Sequence, residues 1–389
     1  MPEFPNTVPS KLPKVGSSIF TVMSQKAREK EAINLSQGFP DFHCSPKLLE
    51  RVHEQMKKGN NQYAPSAGIP ELREAIAEKT EELYGARYDP ETEVTVTAGG
   101  TEAIYASITS MVREDDEVVI FTPAYDCYEP AIELSNGKPI FVQLKPPEYQ
   151  IDWNEVKRVI NRKTRMMIIN TPHNPTGSVI GKENMEQLEA LTKNSDILIL
   201  SDEVYEHVLF DGREHQSVCR FPGLAERSFV ISSFGKTFHN TGWKTGYCLA
   251  PKNLMKEFRK THQFIVFCSN TPIQHAFAEH LRENKEEYRE LNDFYEKKRD
   301  HFLNAIESSR FKATPARGTY FQLLSYQEEE DLSQEKDTEL ALRLIDEYGI
   351  ASVPVSVFYH HNVDQNVLRF CFAKSEETLD RAAAIINSI

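Results

Sequence analysis

A lysine at the end of an apolar stretch is the residue with the clearest chemical potential in this sequence. Ser232-Ser233-Phe234-Gly235-Lys236-Thr237 completes and follows the β-rich run Ser228–Ser233. A lysine in a partly apolar setting can lose its proton and attack an aldehyde. A nucleotide-binding P-loop would need a glycine five positions before Gly235, where this chain has Val230. Lys236 is therefore a candidate nucleophile and not part of a P-loop.

Two other charged residues stand at or inside predicted strands. Asp202 follows the apolar run Ile197–Leu200, and Arg369 lies between Leu368 and Phe370. A buried carboxylate is costly unless it meets a cation or a protonated partner. A buried guanidinium needs an anion, and its fork fits a carboxylate. For Asp202 a metal ligand, a salt bridge and a helix N-cap remain alternatives; for Arg369 the alternative is a structural ion pair.

Two glycine- or proline-rich turns follow other predicted strands. In Ala98-Gly99-Gly100-Thr101-Glu102-Ala103, the glycines precede a predicted helix whose free N–H groups could bind a phosphate. In Asn170-Thr171-Pro172-His173-Asn174-Pro175-Thr176-Gly177, two prolines would hold Asn174 in one direction. An ordinary strand–helix turn and a rigid loop are the respective alternatives.

Taken together, these signals fit one cofactor. A lysine that captures an aldehyde, a carboxylate that can keep a pyridine nitrogen protonated and a phosphate-binding turn are the three contacts that pyridoxal phosphate (PLP) requires. The sequence therefore indicates a PLP site built from Lys236, Asp202 and the Gly99-Gly100 turn.

The elements that must position these residues alternate between strands and helices. A helix is predicted at Pro70–Tyr84. The predicted strands of the middle region are Val94–Ala98, Glu117–Phe121, Pro139–Leu144, Arg165–Asn170, Asp196–Asp202, Ser228–Ser233 and Thr245–Ala250. Most are separated by enough residues for a helix, which predicts an α/β fold with a largely parallel, covered sheet. Ligands of such sheets bind beyond the carboxyl ends of the strands.

The pattern changes after residue 280. One long helix is predicted over Leu281–Asn304, followed by strands and helices of a smaller α/β unit. Its strands are predicted at Thr319–Ser325 and Asn366–Phe372, and its helices near Thr338–Tyr348 and Glu376–Ile386. The acidic run Gln327–Lys336 is predicted to be an exposed loop, and the Pro-rich residues 1–16 an extended segment. We expect an N-terminal arm over residues 1–45, a large domain over 46–280 and a small domain over 281–389.

Composition excludes several classes of function. The 389 residues carry a formal net charge of -13, which argues against nucleic acid and against anionic membranes as partners. Six scattered cysteines without a CxxC pair predict neither disulfides nor a metal site, and they favour a cytoplasmic location. No apolar run is long enough to span a membrane, and the N-terminus lacks the apolar core of a secretory signal.

The motifs together resemble a known family. Gly-Gly-Thr-Glu-Ala, Asn-Pro-Thr-Gly, Asp-Glu-Val-Tyr, Ser-Phe-Gly-Lys-Thr and Gly-Trp-Lys-Thr-Gly-Tyr occur in the order typical of class I/II PLP-dependent aminotransferases of fold type I. The resemblance runs from Ile19 to the C-terminus. Within the family it is nearest to bacterial methionine aminotransferases and then to kynurenine aminotransferases. The stretches that carry this finer match are Ser18–Thr21, Asn34–Phe42, Asn61–Pro65, Tyr125–Pro130 and Phe238–Lys244.

The resemblance implies roles toward the cofactor. Lys236 would hold PLP as a Schiff base and later move the substrate Cα proton, and Asp202 would pair with the ring nitrogen. The ring would be contacted by Tyr125, Asn174 and Tyr205, and the phosphate by Gly100, Thr101, Ser233, Lys244 and, from the neighbouring subunit, Tyr63. Lys244 stands where many members have arginine, and Tyr125 stands where kynurenine aminotransferases often have phenylalanine.

The resemblance also implies a substrate site and an assembly. Arg369 would bind the substrate α-carboxylate, helped by Asn174 and the backbone of Gly38. Ile19, Phe20 and Phe358 are candidates for an apolar side-chain pocket. A large domain with a seven-stranded sheet, a smaller domain and a homodimer with shared active sites complete the implied architecture.

The implied reaction is a ping-pong transamination. The expected donor is L-methionine, with aromatic amino acids or glutamine as further donors and a 2-oxo acid as acceptor. A kynurenine aminotransferase or cysteine-S-conjugate β-lyase on the same fold is the alternative. A PLP-binding transcriptional regulator is disfavoured, because it would need an added DNA-binding domain and a basic surface.

Overall fold

A computed structural model describes residues 4–389 of the chain. The α-helices are α1 Ile19–Glu29, α2 Pro46–Lys57, α3 Pro70–Tyr84, α4 Gly100–Met111, α5 Tyr128–Leu134, α6 Trp153–Val159, α7 Lys182–Thr192, α8 Pro222–Ala225, α9 Phe234–Thr237, α10 Lys252–Ile265, α11 Thr271–Glu283, α12 Lys285–Arg289, α13 Leu291–Ala305, α14 Asp337–Arg343 and α15 Glu376–Ile386. Short 3-10 turns span Val218–Arg220, Thr241–Trp243 and Ser356–Phe358, and a π-helical turn spans Leu344–Tyr348. Within residues 4–389, every helix is too short or too polar to cross a membrane.

The strands form one large sheet and two small ones. They are β1 Ile33–Asn34, β2 Val94–Thr97, β3 Glu117–Thr122, β4 Lys138–Gln143, β5 Thr164–Asn170, β6 Leu198–Asp202, β7 Ser228–Ser233, β8 Gly246–Leu249, β9 Lys312–Ala313, β10 Phe321–Ser325, β11 Ile350–Ala351, β12 Val353–Pro354 and β13 Val367–Cys371. The seven-stranded sheet has the order β2-β8-β7-β6-β5-β3-β4. Strand β8 runs antiparallel to both of its neighbours, and the other pairs are parallel.

Helices cover both faces of the large sheet, which is why its central strands contain the apolar runs Met166–Ile169, Leu198–Leu200 and Phe229–Ile231. Every residue of β6 and β7 is buried, as expected for a parallel sheet that lies between two layers. One apolar core contains α3 and α11, and the other contains α4 and α10. The polar ends of β5, β6 and β7 therefore lie side by side at one edge of this sheet, where Asn170 pairs in register with Asp202.

The small sheets combine residues from both ends of the chain. β1 pairs in parallel with β11, and a second sheet has the order β12-β13-β10-β9. Their core brings Met23 and Leu35 of the N-terminal part together with Phe302, Leu340 and C-terminal side chains. The N-terminal arm is thus bound to the C-terminal part of the chain, in line with the predicted contribution of both ends to a smaller unit.

Most predicted elements agree with the structure. α3 has the predicted bounds, all seven predicted middle strands belong to the large sheet, and the two later strands pair as β10 and β13. Gln327–Lys336 forms turns that are mostly exposed, although Leu332 is buried. Residues 4–16 contain neither helix nor strand. The domain boundaries at residues 45 and 280 stay a prediction.

The prediction of one helix over Leu281–Asn304 is wrong. The chain turns at Asn284 and Glu290, whose backbone angles are not helical, and three helices (α11, α12 and α13) share this region. Tyr288 packs into the core of the large sheet, whereas Leu291 packs into the core of the small sheets. The turn at Glu290 thus lies where the chain passes from the core of the large sheet to the core of the small sheets.

Candidate active site

A cavity lies at the carboxyl ends of β5, β6 and β7 and collects most of the predicted site residues. Those that line it are Gly100, Thr101, Tyr125, Asn174, Asp202, Tyr205, Ser233, Lys236 and Lys244. Arg369 and Gly38 lie directly behind this lining, through contacts with Asn174 and Lys236 respectively. The strand ends thus bring together residues that are far apart in the sequence.

Lys236 projects into this cavity from the short helix α9, directly after β7. Its Nζ donates to the carbonyl oxygen of Gly38 at 3.4 Å and to the hydroxyl of Tyr320 at 3.1 Å. Burial lowers the pKa of Lys236 to about 8. A substantial fraction of this amine is therefore neutral near physiological pH, the form in which a lysine acts as a nucleophile or base.

Asp202 is the last residue of β6 and is almost completely buried. Its carboxylate accepts hydrogen bonds from the Tyr128 hydroxyl at 2.5 Å and from the Val204 backbone N–H at 3.3 Å. In the described part of the chain, no Lys, Arg or His nitrogen lies within 4 Å of it. Burial consequently raises the pKa of Asp202 to about 6. The site presents a desolvated carboxylate that a cationic group in the cavity would stabilise.

The N-terminus of α4 and Lys244 form a site for an anion. Gly99 precedes α4 with a φ of 84°, a conformation that favours glycine, and no side chain caps the helix. A Cβ atom on Gly99 would lie 3.4 Å from the Lys244 Nζ, so this ammonium group is beside the start of the helix. Free N–H groups and a neighbouring cation are the arrangement that binds phosphate.

Asn174 and Arg369 form a second polar pair. Arg369 is fully buried in β13, donating from Nη1 to Asn174 Oδ1 at 2.6 Å and from Nη2 to the Ser36 carbonyl at 3.0 Å. Its Nε is buried without a hydrogen-bond partner among residues 4–389. Asn174 is in turn held by its backbone N–H, which donates to Asn170 Oδ1 at 2.7 Å. The side-chain oxygen of Asn174 is occupied by Arg369, and its amide Nδ2 remains to donate to a ligand.

Aromatic rings surround the guanidinium group of Arg369. The Arg369 guanidinium lies 5.2 Å from the Phe20 ring, 5.3 Å from the Phe358 ring and 3.9 Å from the Phe321 ring. Phe20 and Phe358 also contact each other, with ring centroids 5.9 Å apart. The two candidates for an apolar side-chain pocket thus lie beside Arg369, and their contact with a substrate stays a prediction.

Tyr125 and Tyr205 stand on the cavity wall. The Tyr125 hydroxyl lies 3.5 Å from Thr101 Oγ1, and the Tyr125 ring packs edge-on against Tyr128. Burial raises the pKa of Tyr205, so its hydroxyl stays protonated and can donate a hydrogen bond.

Residues 30–386 match the family described as aminotransferase class I and II. The chain belongs to this aminotransferase family.

Similar proteins cover nearly the whole chain. The methionine aminotransferase of Escherichia coli K12 is 47% identical over 380 residues, which are 98% of each chain. Human kynurenine–oxoglutarate transaminase 1 is 34% identical over 91% of each. An E. coli crystal structure reported with a methionine aminotransferase function has a TM-score of 0.96 at 46% identity, covering 99% of this chain and 100% of that one. A Thermus thermophilus aspartate aminotransferase structure has a TM-score of 0.89 at 29% identity, covering 98% of this chain and 99% of that one.

The lining of this aminotransferase fits the cofactor that the sequence indicates. Asp202 is a buried carboxylate that needs a cation, Lys236 is a partly buried amine of lowered pKa, and the α4 N-terminus with Lys244 fits a phosphate. These three groups line the same cavity and match the ring nitrogen, the aldehyde and the phosphate of PLP.

Tyr63 is the predicted site residue that lies apart from the cavity. It is 83% exposed and packs edge-on against Phe267, with ring centroids 5.1 Å apart. Its contact with a cofactor bound in the neighbouring subunit stays a prediction.

Sequence reasoning missed three residues that hold the site together. Tyr128 donates to Asp202, Ser36 accepts from Arg369, and Tyr320 contacts Lys236. Tyr128 and Ser36 fall inside stretches that carry the family resemblance, so a signal existed for them. Tyr320 follows Gly318 and Thr319 with no local pattern that links it to Lys236.

Proposed function

We propose that this protein is a PLP-dependent aminotransferase that takes the amino group of L-methionine and passes it to a 2-oxo acid. The observation that carries the proposal is the meeting of Lys236, Asp202 and Lys244 in one cavity. Membership of the aminotransferase family supports the reaction class, and the 47% identity to the E. coli methionine aminotransferase supports the donor.

Each residue has a distinct task in this proposal. Lys236 would bind PLP covalently, Asp202 would pair with the ring nitrogen, and Lys244 with the α4 N-terminus would hold the phosphate. When bound, PLP supplies a ring that accepts the electron pair left when the substrate Cα–H bond breaks. The Nζ of Lys236, once free, takes the proton from Cα, and its lowered pKa keeps part of it neutral for this purpose.

Arg369 orients the substrate in the same scheme. Its buried guanidinium would bind the α-carboxylate through a charge-assisted hydrogen bond, with the Asn174 amide beside it. The Phe20 and Phe358 rings next to Arg369 would contact an apolar side chain such as that of methionine. A second carboxylate on the substrate would lose its hydration there without an obvious counterion, which argues against an aspartate-specific enzyme.

We propose a cytoplasmic homodimer with shared active sites as the functional form. Tyr63, Phe267 and Phe264 are 83%, 53% and 87% exposed. Exposed aromatic residues of this kind are favourable in a protein interface. The six cysteines are free thiols in the structure, as suits a reducing compartment.

The test is a comparison of donors. With one oxo acid as acceptor, kcat/KM should be highest for L-methionine, lower for phenylalanine, kynurenine and glutamine, and lowest for aspartate. Lys236→Ala, loaded with PLP, is the matched control and should transfer no amino group. A higher kcat/KM for aspartate than for methionine would refute the assigned donor, and full activity of Lys236→Ala would refute the mechanism.

A further inference from the structure

Tyr320 contacts the catalytic lysine and the N-terminal segment at once. Its hydroxyl donates to the Gly38 carbonyl at 2.8 Å and accepts from Lys236 Nζ at 3.1 Å, while Nζ also donates to that carbonyl at 3.4 Å. The three polar groups form a closed triangle. Lys236 follows the large sheet, Tyr320 precedes β10 of a small sheet, and Gly38 follows β1, so the triangle joins separate parts of the fold.

Packing fixes the geometry of this triangle. Tyr320 is fully buried, and its ring packs edge-on against Tyr205 at 5.1 Å and obliquely against Tyr295 at 5.5 Å. Gly38 lies so close that a Cβ atom would stand 2.6 Å from the Phe321 ring and 3.4 Å from the Tyr320 ring. Neither the carbonyl nor the hydroxyl can therefore move far from the Lys236 amine.

We propose that Tyr320 is a positioning residue that holds the amine of Lys236 whenever this lysine is not bonded to the cofactor. In that state the partly buried Nζ needs hydrogen-bond acceptors, and the Tyr320 hydroxyl with the Gly38 carbonyl supplies them. The amine is kept at the cavity wall, where it can receive the substrate Cα proton. This inference rests on the proposed function, because it assigns Tyr320 a task in the same reaction.

Other charged and titratable groups also act on Lys236. Asp202 and Cys371 favour the charged amine, whereas Lys244 and Arg369 disfavour it. The Tyr320→Phe substitution changes none of these four groups and removes one hydroxyl. The effect of Tyr320→Phe on the amine therefore reports the loss of a single acceptor.

The experiment compares Tyr320→Phe with Tyr295→Phe. Tyr295 is a matched control, since it is also fully buried and packs on Tyr320, but its hydroxyl has no hydrogen-bond partner among the described residues. In the full-length, cofactor-free protein, acetic anhydride would label the amine of Lys236 at a series of pH values. Peptide mass spectrometry would then give the labelling midpoint, which is the pH at which the labelling rate is half its maximum. Because the ammonium form loses an acceptor, the midpoint in Tyr320→Phe should fall by about one pH unit. In Tyr295→Phe it should stay within about 0.3 unit.

A second readout uses the loaded enzyme. With L-methionine deuterated at Cα, Tyr320→Phe should lower the rate constant of the first half-reaction about tenfold and raise the deuterium isotope effect. Both should stay unchanged in Tyr295→Phe. A labelling midpoint for Tyr320→Phe equal to that of the unmodified protein would overturn the proposal.

A second measurement covers the case in which the variant does not fold, and the labelling assay is independent of transamination. If Tyr320→Phe does not fold, a crystal structure of the cofactor-free protein decides, and a Lys236 Nζ beyond hydrogen-bond distance of both oxygens would overturn the proposal. Labelling requires neither PLP nor an amino acid. A failed transamination assay would therefore refute the proposed function while leaving this measurement intact.

Discussion

Replacing Asp202 by asparagine tests the electrostatics of the proposed site. The change keeps the shape of the side chain and removes the charge that would face the cofactor ring nitrogen. Losing one preorganised group that stabilises charge developing in the transition state raises the barrier by about 2.7–4 kcal/mol. Since 1.36 kcal/mol corresponds to a factor of ten, the half-reaction with L-methionine should slow by about 10²- to 10³-fold. Stopped-flow absorbance of the bound cofactor would measure this rate.

The control for this variant is Asp337→Asn. Asp337 is likewise a buried carboxylate that accepts from one hydroxyl and one backbone N–H, here those of Ser356 at 2.6 and 2.7 Å. It lies at the start of α14, away from the cavity, so its loss should change the rate less than about threefold. A loss below tenfold in Asp202→Asn, at full cofactor occupancy, would refute the assigned ion pair.

The same variant has a predicted effect on stability in the absence of PLP. The pKa of Asp202 is raised from 3.8 to about 6, so the folded protein binds more protons than the unfolded chain between these values. Stability attributable to Asp202 is therefore full below about pH 4 and falls as the pH rises to 6, by about 3 kcal/mol. In Asp202→Asn this component should be absent from urea unfolding of the cofactor-free protein. Parallel stability–pH curves for the two proteins would contradict the burial argument.

Three further predictions follow from the geometry. Lys244→Ala should weaken PLP binding to the cofactor-free protein about 10- to 100-fold, because a charge-assisted hydrogen bond is lost, whereas Lys244→Arg should bind PLP nearly normally. Fluorescence titration would measure both affinities, and an unchanged affinity of Lys244→Ala would contradict the anion site formed by Lys244 and the α4 N-terminus. Arg369→Lys should lower kcat/KM for L-methionine about 100-fold, since a lysine cannot make both guanidinium contacts; an unchanged kcat/KM would exclude Arg369 from the substrate site. Sedimentation should give twice the mass of one chain, and Phe264→Asp should yield inactive monomers; an active monomer would refute the shared site.

Much of the fold could be predicted because it depends on local patterns. The strands from Val94 to Leu249 are short apolar runs separated by helix-length stretches, a pattern that predicts a largely parallel sheet covered by helices, and β8 departs from it by running antiparallel. This pattern predicts that the polar residues at and after the strand ends lie at one edge, and Asp202, Asn174 and Lys236 line one cavity there.

The remaining features depend on long-range packing. The turns at Asn284 and Glu290 arise because Tyr288 and Leu291 belong to different cores, and no local signal in the charged segment marks that change. The contact between Tyr320 and Lys236 joins residues 84 positions apart through the docking of two sheets. Periodicity describes how one element is buried, but it does not say which elements pack together.

The most direct test of the account is a single half-reaction with L-methionine and no oxo acid. The purified, PLP-loaded protein should lose the visible absorbance of its bound cofactor and release one equivalent of 4-methylthio-2-oxobutanoate per site. Release of methanethiol and a shorter oxo acid, with the cofactor absorbance retained, would instead identify a lyase. No spectral change and no product would contradict methionine as the donor.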